Sequence, residues 1–184
     1  MKVAKEQVRE NRKRIVETAS VLFRERGYDG VGVAELMSAA GLTHGGFYKH
    51  FGSKADLMSE AMNCGFSQSA ESTKGVSREK FVEYYLSRQH RDDMGKGCVM
   101  SALGTDTARL PESMKATFAA GIENQLAILA NGGGGETRAD LINTIAHLVG
   151  ALVLSRACPD DSALADEILE VCRSRILSQE VHEV

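Results

Sequence analysis

Thr43, His44, Gly45, Gly46, Tyr48, Lys49, His50 and Lys54 fall within a dozen residues, and their types suit contact with a polyanion. Tyr48, His50 and Lys54 can each donate a hydrogen bond to a phosphate oxygen, and Lys49 adds positive charge. Two consecutive glycines near a helix start each cost about 1 kcal/mol relative to alanine. That cost fits a backbone which something must approach closely, and a DNA strand in the major groove matches the flanking donors. Singly, each residue also fits a plainer role: Lys49 and Lys54 as solvated charges, Tyr48 as a half-buried packing residue. Together they exceed what a bare three-helix unit needs.

Other chemistry finds little support. There is no Gly-x-Ser-x-Gly elbow, dinucleotide fingerprint or pair of metal ligands, so no catalytic residue, metal or cofactor is expected. Cys64, Cys98, Cys158 and Cys172 are separated by 34, 60 and 14 residues, with no Cys-x-x-Cys pair and no histidine at zinc-ligand spacing. They read as reduced thiols of a cytoplasmic protein.

The elements that would position the donors follow from periodicity. Ile15, Ala19, Leu22 and Phe23 form one apolar stripe, which predicts a helix over 11–26 ended by Gly27. A second helix is expected over 33–40, with Val33, Leu36, Met37 and Ala40 inward and Gly41 at its end. Thr43 is placed to cap a third helix over 44–51, anchored by Phe47 and Phe51 at i and i+4. Ser53 then opens a fourth, with Asp56 three residues on in a capping-box position. Two short helices about a glycine turn, braced by a longer one, form a helix-turn-helix.

Charge is unevenly distributed. Residues 1–54 hold ten Lys/Arg against six Asp/Glu, net +4, whereas the remaining 130 hold 12 against 19, net −7. A basic head on an acidic body suggests that only the head meets nucleic acid, although it also fits a head resting on another acidic partner. The charged first 26 residues do not read as a secretory signal, and the apolar run 145–154 is half of what a bilayer needs. No membrane association is expected.

Six blocks carry a family resemblance: Ile15…Ala19…Leu22-Phe23, Gly27-Tyr28, Val33-x-x-Leu36, Ala40-Gly41-Leu42-Thr43, Phe47-Tyr48-Lys49-His50-Phe51 and Ser53-Lys54-x-x-Leu57. In order and spacing they resemble the TetR/AcrR family of bacterial regulators, over about a quarter of the chain. The resemblance implies a homodimer with a DNA-binding head and a helical body that binds a small effector. It places Tyr48, His50 and Lys54 at phosphate-contacting positions, and Thr43, His44, Gly45 and Gly46 where bases are approached. Gly32 and Val33, at the start of the second helix, join the expected DNA-contacting set. Gly32 stands where the family usually carries Ser or Thr, which leaves that phosphate contact in question. Met37 replaces a usual small residue and implies a compensating gap in the head's core.

The body is expected to be helical over 54–69, 77–88, 98–108, 111–130, 137–157 and 159–177, with a polar interruption at 89–96 and a glycine connector at 131–135. Phe81, Tyr84 and Tyr85 form the apolar side of one helix, and Pro111 suits the first position of another. The helix over 137–157 is apolar nearly all round. A second copy of the chain would cover it, giving a four-helix dimer interface from 137–177 that uses Ala146, Gly150, Ala165, Ile168, Leu169 and Cys172. Met58, Met62, Phe66, Met100, Phe118 and His147 are candidates for an effector cavity, although apolar stripes are commonly plain core and His147 fits a satisfied core histidine. Cys98 joins these effector candidates, and its thiol suits either a buried inert group or a redox or electrophile sensor.

The expected architecture is therefore all-α: a three-helix head, 1–52, and a helical effector-binding and dimerisation body, 53–184. The expected function is a regulator, most simply a repressor, which grips a palindromic operator as a homodimer and is released by a small effector. A helix-turn-helix acting only through protein contacts is the alternative, with Gly32 in its favour.

Overall fold

The computed structural model describes residues 2–131 and 136–178, and all regular structure among them is helical. Helix α1 spans Lys2–Arg26, nine residues longer at its start than the apolar stripe predicts. The added turns are polar, and Lys5–Glu10 lie in solvent. Gly27 ends α1 at φ +72, its N–H bonded to Phe23 O at 2.8 Å.

Helix α2, Val33–Ala39, closes with Gly41 at φ +68. There Leu42 N bonds Met37 O at 2.8 Å and Gly41 N bonds Ser38 O at 2.9 Å, the paired pattern that satisfies terminal carbonyls. The third element, His44–Lys49, is a 3-10 helix rather than the expected α-helix, with Gly46 N bonded to Thr43 O at 2.9 Å. Successive glycines leave little to favour the wider α-turn. Thr43 precedes the element, but its hydroxyl makes no cap bond. Helix α3, Lys54–Thr73, is capped by Ser53, whose Oγ accepts from Asp56 N at 3.1 Å.

Beyond α3 lie α4, Arg78–Tyr85, α5, Arg88–Asp92, and a 3-10 turn, Met94–Lys96. Ser77 caps α4 rather than belonging to it, and Tyr84 faces solvent while Tyr85 is buried. The stretch expected as a polar interruption is an ordered knot. Ser87 Oγ accepts from His90 N at 3.1 Å, and buried Arg91 donates to Ser155, Cys158 O, Asp92 and Asp160. The Arg91 guanidinium is satisfied inside the fold, while its carboxylate partners Asp92 and Asp160 stay exposed.

Helices α6, Val99–Thr107, and α7, Glu112–Ala130, follow, with Pro111 one residue outside α7 as its cap. Of the expected connector, Gly132–Gly135 lie outside the described residues. Thr137 and Asp140 cap α8, Arg138–Ala157, reciprocally. Helix α9, Ala163–Ser178, starts four residues later than Pro159, after a turn in which Ser162 N bonds Pro159 O at 3.0 Å.

One core joins head and body: Ile15, Phe23, Leu36, Met37, Phe47 and Phe51 pack with Leu57, Met62 and Phe66 of α3 and Val99 and Leu103 of α6. A second core gathers Tyr85, Cys98, Leu148, Leu152, Leu169 and Ile176, and a third holds Leu126, Leu141 and Ile145. Met100 packs against all three. Ala165 and Leu169, expected on the dimer face, are buried in the chain's own core. On α8 and α9 the large apolar residues left exposed are Ile142, Leu154, Leu164 and Val171. Among the described residues no helix is long and apolar enough to cross a membrane.

Candidate nucleic-acid interface

Phe47 and Phe51 are buried, and their stacked rings lie 5.6 Å apart, pinning the 3-10 helix to the head's core. The opposite face is bare. Thr43, His44, Gly45, Tyr48 and Lys49 are exposed, and Tyr48 reaches 72% exposure while its ring rests edge-on against Phe47 at 5.2 Å.

Neither glycine of the pair is required by the fold itself. Neither has a positive φ. A β-carbon on Gly45 would meet nothing within 4 Å, and one on Gly46 would make only ordinary contacts, 3.6 Å from Met37 Cε and 3.7 Å from Thr43 Oγ1. Met37 thus fills the space beside Gly46, which accounts for its size in the head's core.

His50 is half-buried, and its Nδ1 is enclosed without a partner. Burial, with the nearby charges of Arg12 and Lys49, lowers its pKa, so the ring favours the neutral form. Lys54 is the least free of the expected donors. Its Nζ donates to Tyr28 O at 2.6 Å and sits 5.9 Å from the Phe23 ring centroid. Two N–H groups of the ammonium remain for a phosphate. Gly32 is exposed with open space at its β-position, and Val33 is half-buried against the core.

Arg12 was not anticipated. Its guanidinium pairs with Glu60 of α3 and lies 4.5 Å from the Phe51 ring centroid, holding the end of the site to the body's first helix. Its place three residues before Ile15, on the inward stripe, was the available signal. Two further bridges join head and body. Tyr28 N donates to Asp106 Oδ2 at 3.1 Å, and buried Arg24 donates to Gly97 O at 3.3 Å and Gln68 Oε1 at 3.1 Å.

The effector candidates separate. Met58, Met62 and Phe66 belong to the shared core, where the Phe66 and Phe118 rings meet edge-on at 5.6 Å. His147 is half-buried on α8 and does not line the body's cleft. Cys98 does line it, together with Met100, Tyr85, Gln125, Phe81 and Ile145. Tyr85 and Gln125 were missed. Gln125 carried a readable signal, as a polar residue on the stripe of α7 that also holds Phe118 and Ile122.

Residues 15–61 match the model of the bacterial regulatory proteins of the tetR family. The chain is 26% identical over 131 residues to the HTH-type transcriptional repressor NemR of Escherichia coli K12, an alignment covering 66% of this chain and 66% of that one. A TetR transcriptional regulator from Chloroflexus aurantiacus J-10-FL shares the fold at TM-score 0.78 and 19% identity, over 97% of this chain and 98% of its own. AibR, solved in complex with isovaleryl coenzyme A and operator DNA, shares it at TM-score 0.63 and 17% identity, over 90% and 97%. The head over residues 15–61 thus matches the tetR family of bacterial regulatory proteins, and the chain as a whole shares the fold of solved TetR-family regulators.

Proposed function

We propose that this protein is a DNA-binding transcriptional regulator, acting in the cytoplasm by binding rather than catalysis. The observation that carries it is the face of Thr43, His44, Gly45, Tyr48 and Lys49: exposed, flanked by half-buried Gly46, and backed by buried Phe47 and Phe51. Its glycines serve no internal packing need, which suits a groove wall at close range. Thr43 to Gly46 would approach base edges while Tyr48, Lys49, His50 and Lys54 donate to phosphates, with Gly32 and Val33 beside the backbone. The head over 1–52 and the body over 53–184 divide these tasks.

One short 3-10 element gives few base contacts, so two copies about 34 Å apart are needed to read a palindrome. The exposed apolar residues of α8 and α9, with open space at Gly150, support a homodimer face. NemR is named a repressor, and repression relieved by a small effector is the simplest mode for a chain of this architecture. An effector in the body would displace α6, which touches the head through Gly97 beside it and through Asp106. That would change the separation of the two reading elements.

Gel-shift titration against genomic fragments, alongside sedimentation equilibrium, tests this. A dimer that retards discrete fragments at low salt is expected. A strictly monomeric protein, or retardation of no fragment, would sink the reading.

A further inference from the structure

The cleft at the N-terminal end of α6 lies where α4, α6, α7 and α8 converge. In this conformation it has room for roughly one water molecule. Its walls are mostly hydrocarbon, from Phe81, Met100, Leu129, Ile145, Leu148 and Val149, and no charged side chain lines it. Two of its polar lining groups are uncommitted, and one of them, the Tyr85 hydroxyl, is fully enclosed. Tyr85 is 5% exposed, and its Oη lies near the Cys98 and Ser101 side chains without meeting either in hydrogen-bond geometry. Gln125 is 4% exposed, and its carboxamide makes no hydrogen bond among the described residues. Buried polar groups without partners cost free energy that a bound molecule can recover. Burial holds the Tyr85 hydroxyl well above its ordinary pKa, so it stays a donor.

Met100 is the movable wall. Partly buried and packed against all three cores, it is an unbranched side chain able to change rotamer without dismantling any one of them. We infer that this cleft seats an uncharged, largely hydrocarbon effector carrying one carbonyl or hydroxyl group, which Tyr85 and Gln125 hold by hydrogen bonds once Met100 swings aside. This rests on the regulator function proposed above and specifies its effector. An ion would shed its hydration with no lining charge to replace it. The guanidiniums of buried Arg24 and half-buried Arg156 are not in the wall, and they donate instead to Ser20, Gly97 and Gln68, and to His90, Arg91 and Ser101. Cys98 supplies part of the wall and its N–H donates to His90 Nε2 at 3.2 Å, so a ligand there presses on the peptide that Arg24 grips from the head.

Benzyl alcohol, acetophenone and benzamide are the neutral probes, set against benzoate and benzylammonium. Each is titrated into the full chain and followed by calorimetry and the shift in Tm. At least one neutral probe is expected to bind and raise Tm, and neither ion to do so. Tyr85→Phe removes only an unpartnered hydroxyl and keeps the fold. That variant, or Gln125→Leu, is expected to weaken the bound probe at least fivefold. Silence from all three neutral probes, equal binding of either ion, or unchanged affinity in both variants overturns the inference. DNA retardation by the ligand-free protein is scored separately. Its loss counts against the regulator reading and leaves the probe result intact.

Discussion

The Cε of Met37 ends 3.6 Å from the point where a β-carbon on Gly46 would stand. The contact is an ordinary van der Waals one, so the head's core does not forbid alanine there. Gly45 is freer still, with nothing within 4 Å. Gly45→Ala and Gly46→Ala should therefore keep or raise stability, by up to about 1 kcal/mol, because alanine restricts the unfolded chain. DNA affinity should fall by about tenfold or more as the added methyl meets the groove. Thermal melts paired with gel shifts check this, and equal DNA affinity would remove the case for close backbone approach.

Tyr48 and Lys54 should part company. Tyr48→Phe leaves a solvent-facing ring in place, so Tm should hold while affinity drops for all sequences. Lys54→Ala also loses the bond to Tyr28 O and should cost about 1–2 kcal/mol of stability. It should reduce the salt slope of DNA binding by about 1. Salt-dependent titrations on both variants measure the difference.

Gly32 leaves α2 without a side-chain cap, in extended backbone with open space at its β-position. Gly32→Ser should add a hydroxyl acceptor for the first turn, stabilising by a few tenths of a kcal/mol. The same hydroxyl is placed to meet a phosphate, so DNA binding should tighten several-fold. Weaker binding would mean that Gly32 is itself needed at the interface.

A β-carbon on Gly121 of α7 would overlap the Phe66 ring. Gly121→Ala should destabilise by about 1–3 kcal/mol through overpacking, despite alanine's better helix propensity. Denaturant unfolding should show a lower midpoint with an unchanged slope.

His90 is buried, and burial lowers its pKa from the ordinary 6.5, with Arg156 adding to the effect and Asp93 opposing it. Its Nδ1 meets Tyr85 O at 2.7 Å while Nε2 accepts from Cys98 N. The unfolded chain therefore takes up the proton first on acidification. The stabilisation is complete above pH 6.5 and is lost as pH falls from there through the folded value. Half-buried His50, lowered in the same direction, adds to the slope. Tm measured from pH 7.5 downward should decline below 6.5, and His90→Gln should start lower at pH 7.5 but flatten the decline.

The head was legible because its spacing is dictated by packing: Ile15, Ala19, Phe23, Leu36, Phe47 and Phe51 are all buried. What periodicity cannot register went unread. The polar turns from Lys2 to Glu10 continue α1 without an apolar stripe, and the Gly45-Gly46 pair tightens the third element to 3-10 geometry. In the body, Arg91 and His90 look like surface in a sequence yet form a buried knot, because their partners, Tyr85 and residues 155–160 among them, are set by tertiary contacts. For the same reason an apolar stripe did not separate cleft from core. Phe66 and Phe118 pack on each other, whereas Gln125 opens onto the cleft.

The core that runs unbroken from Phe23 and Phe51 into Leu57, Val99 and Leu103 limits how such a molecule can be re-engineered. Transplanting only the first 52 residues onto a foreign body would leave Tyr28 without Asp106, Arg12 without Glu60 and half of a hydrophobic wall facing water. A workable chimera has to carry its seam inside the body, taking matching faces of α3 and α6 along with the graft. Single substitutions on the exposed Thr43–Lys49 face leave this core intact, whereas removing the whole head strips away one side of it.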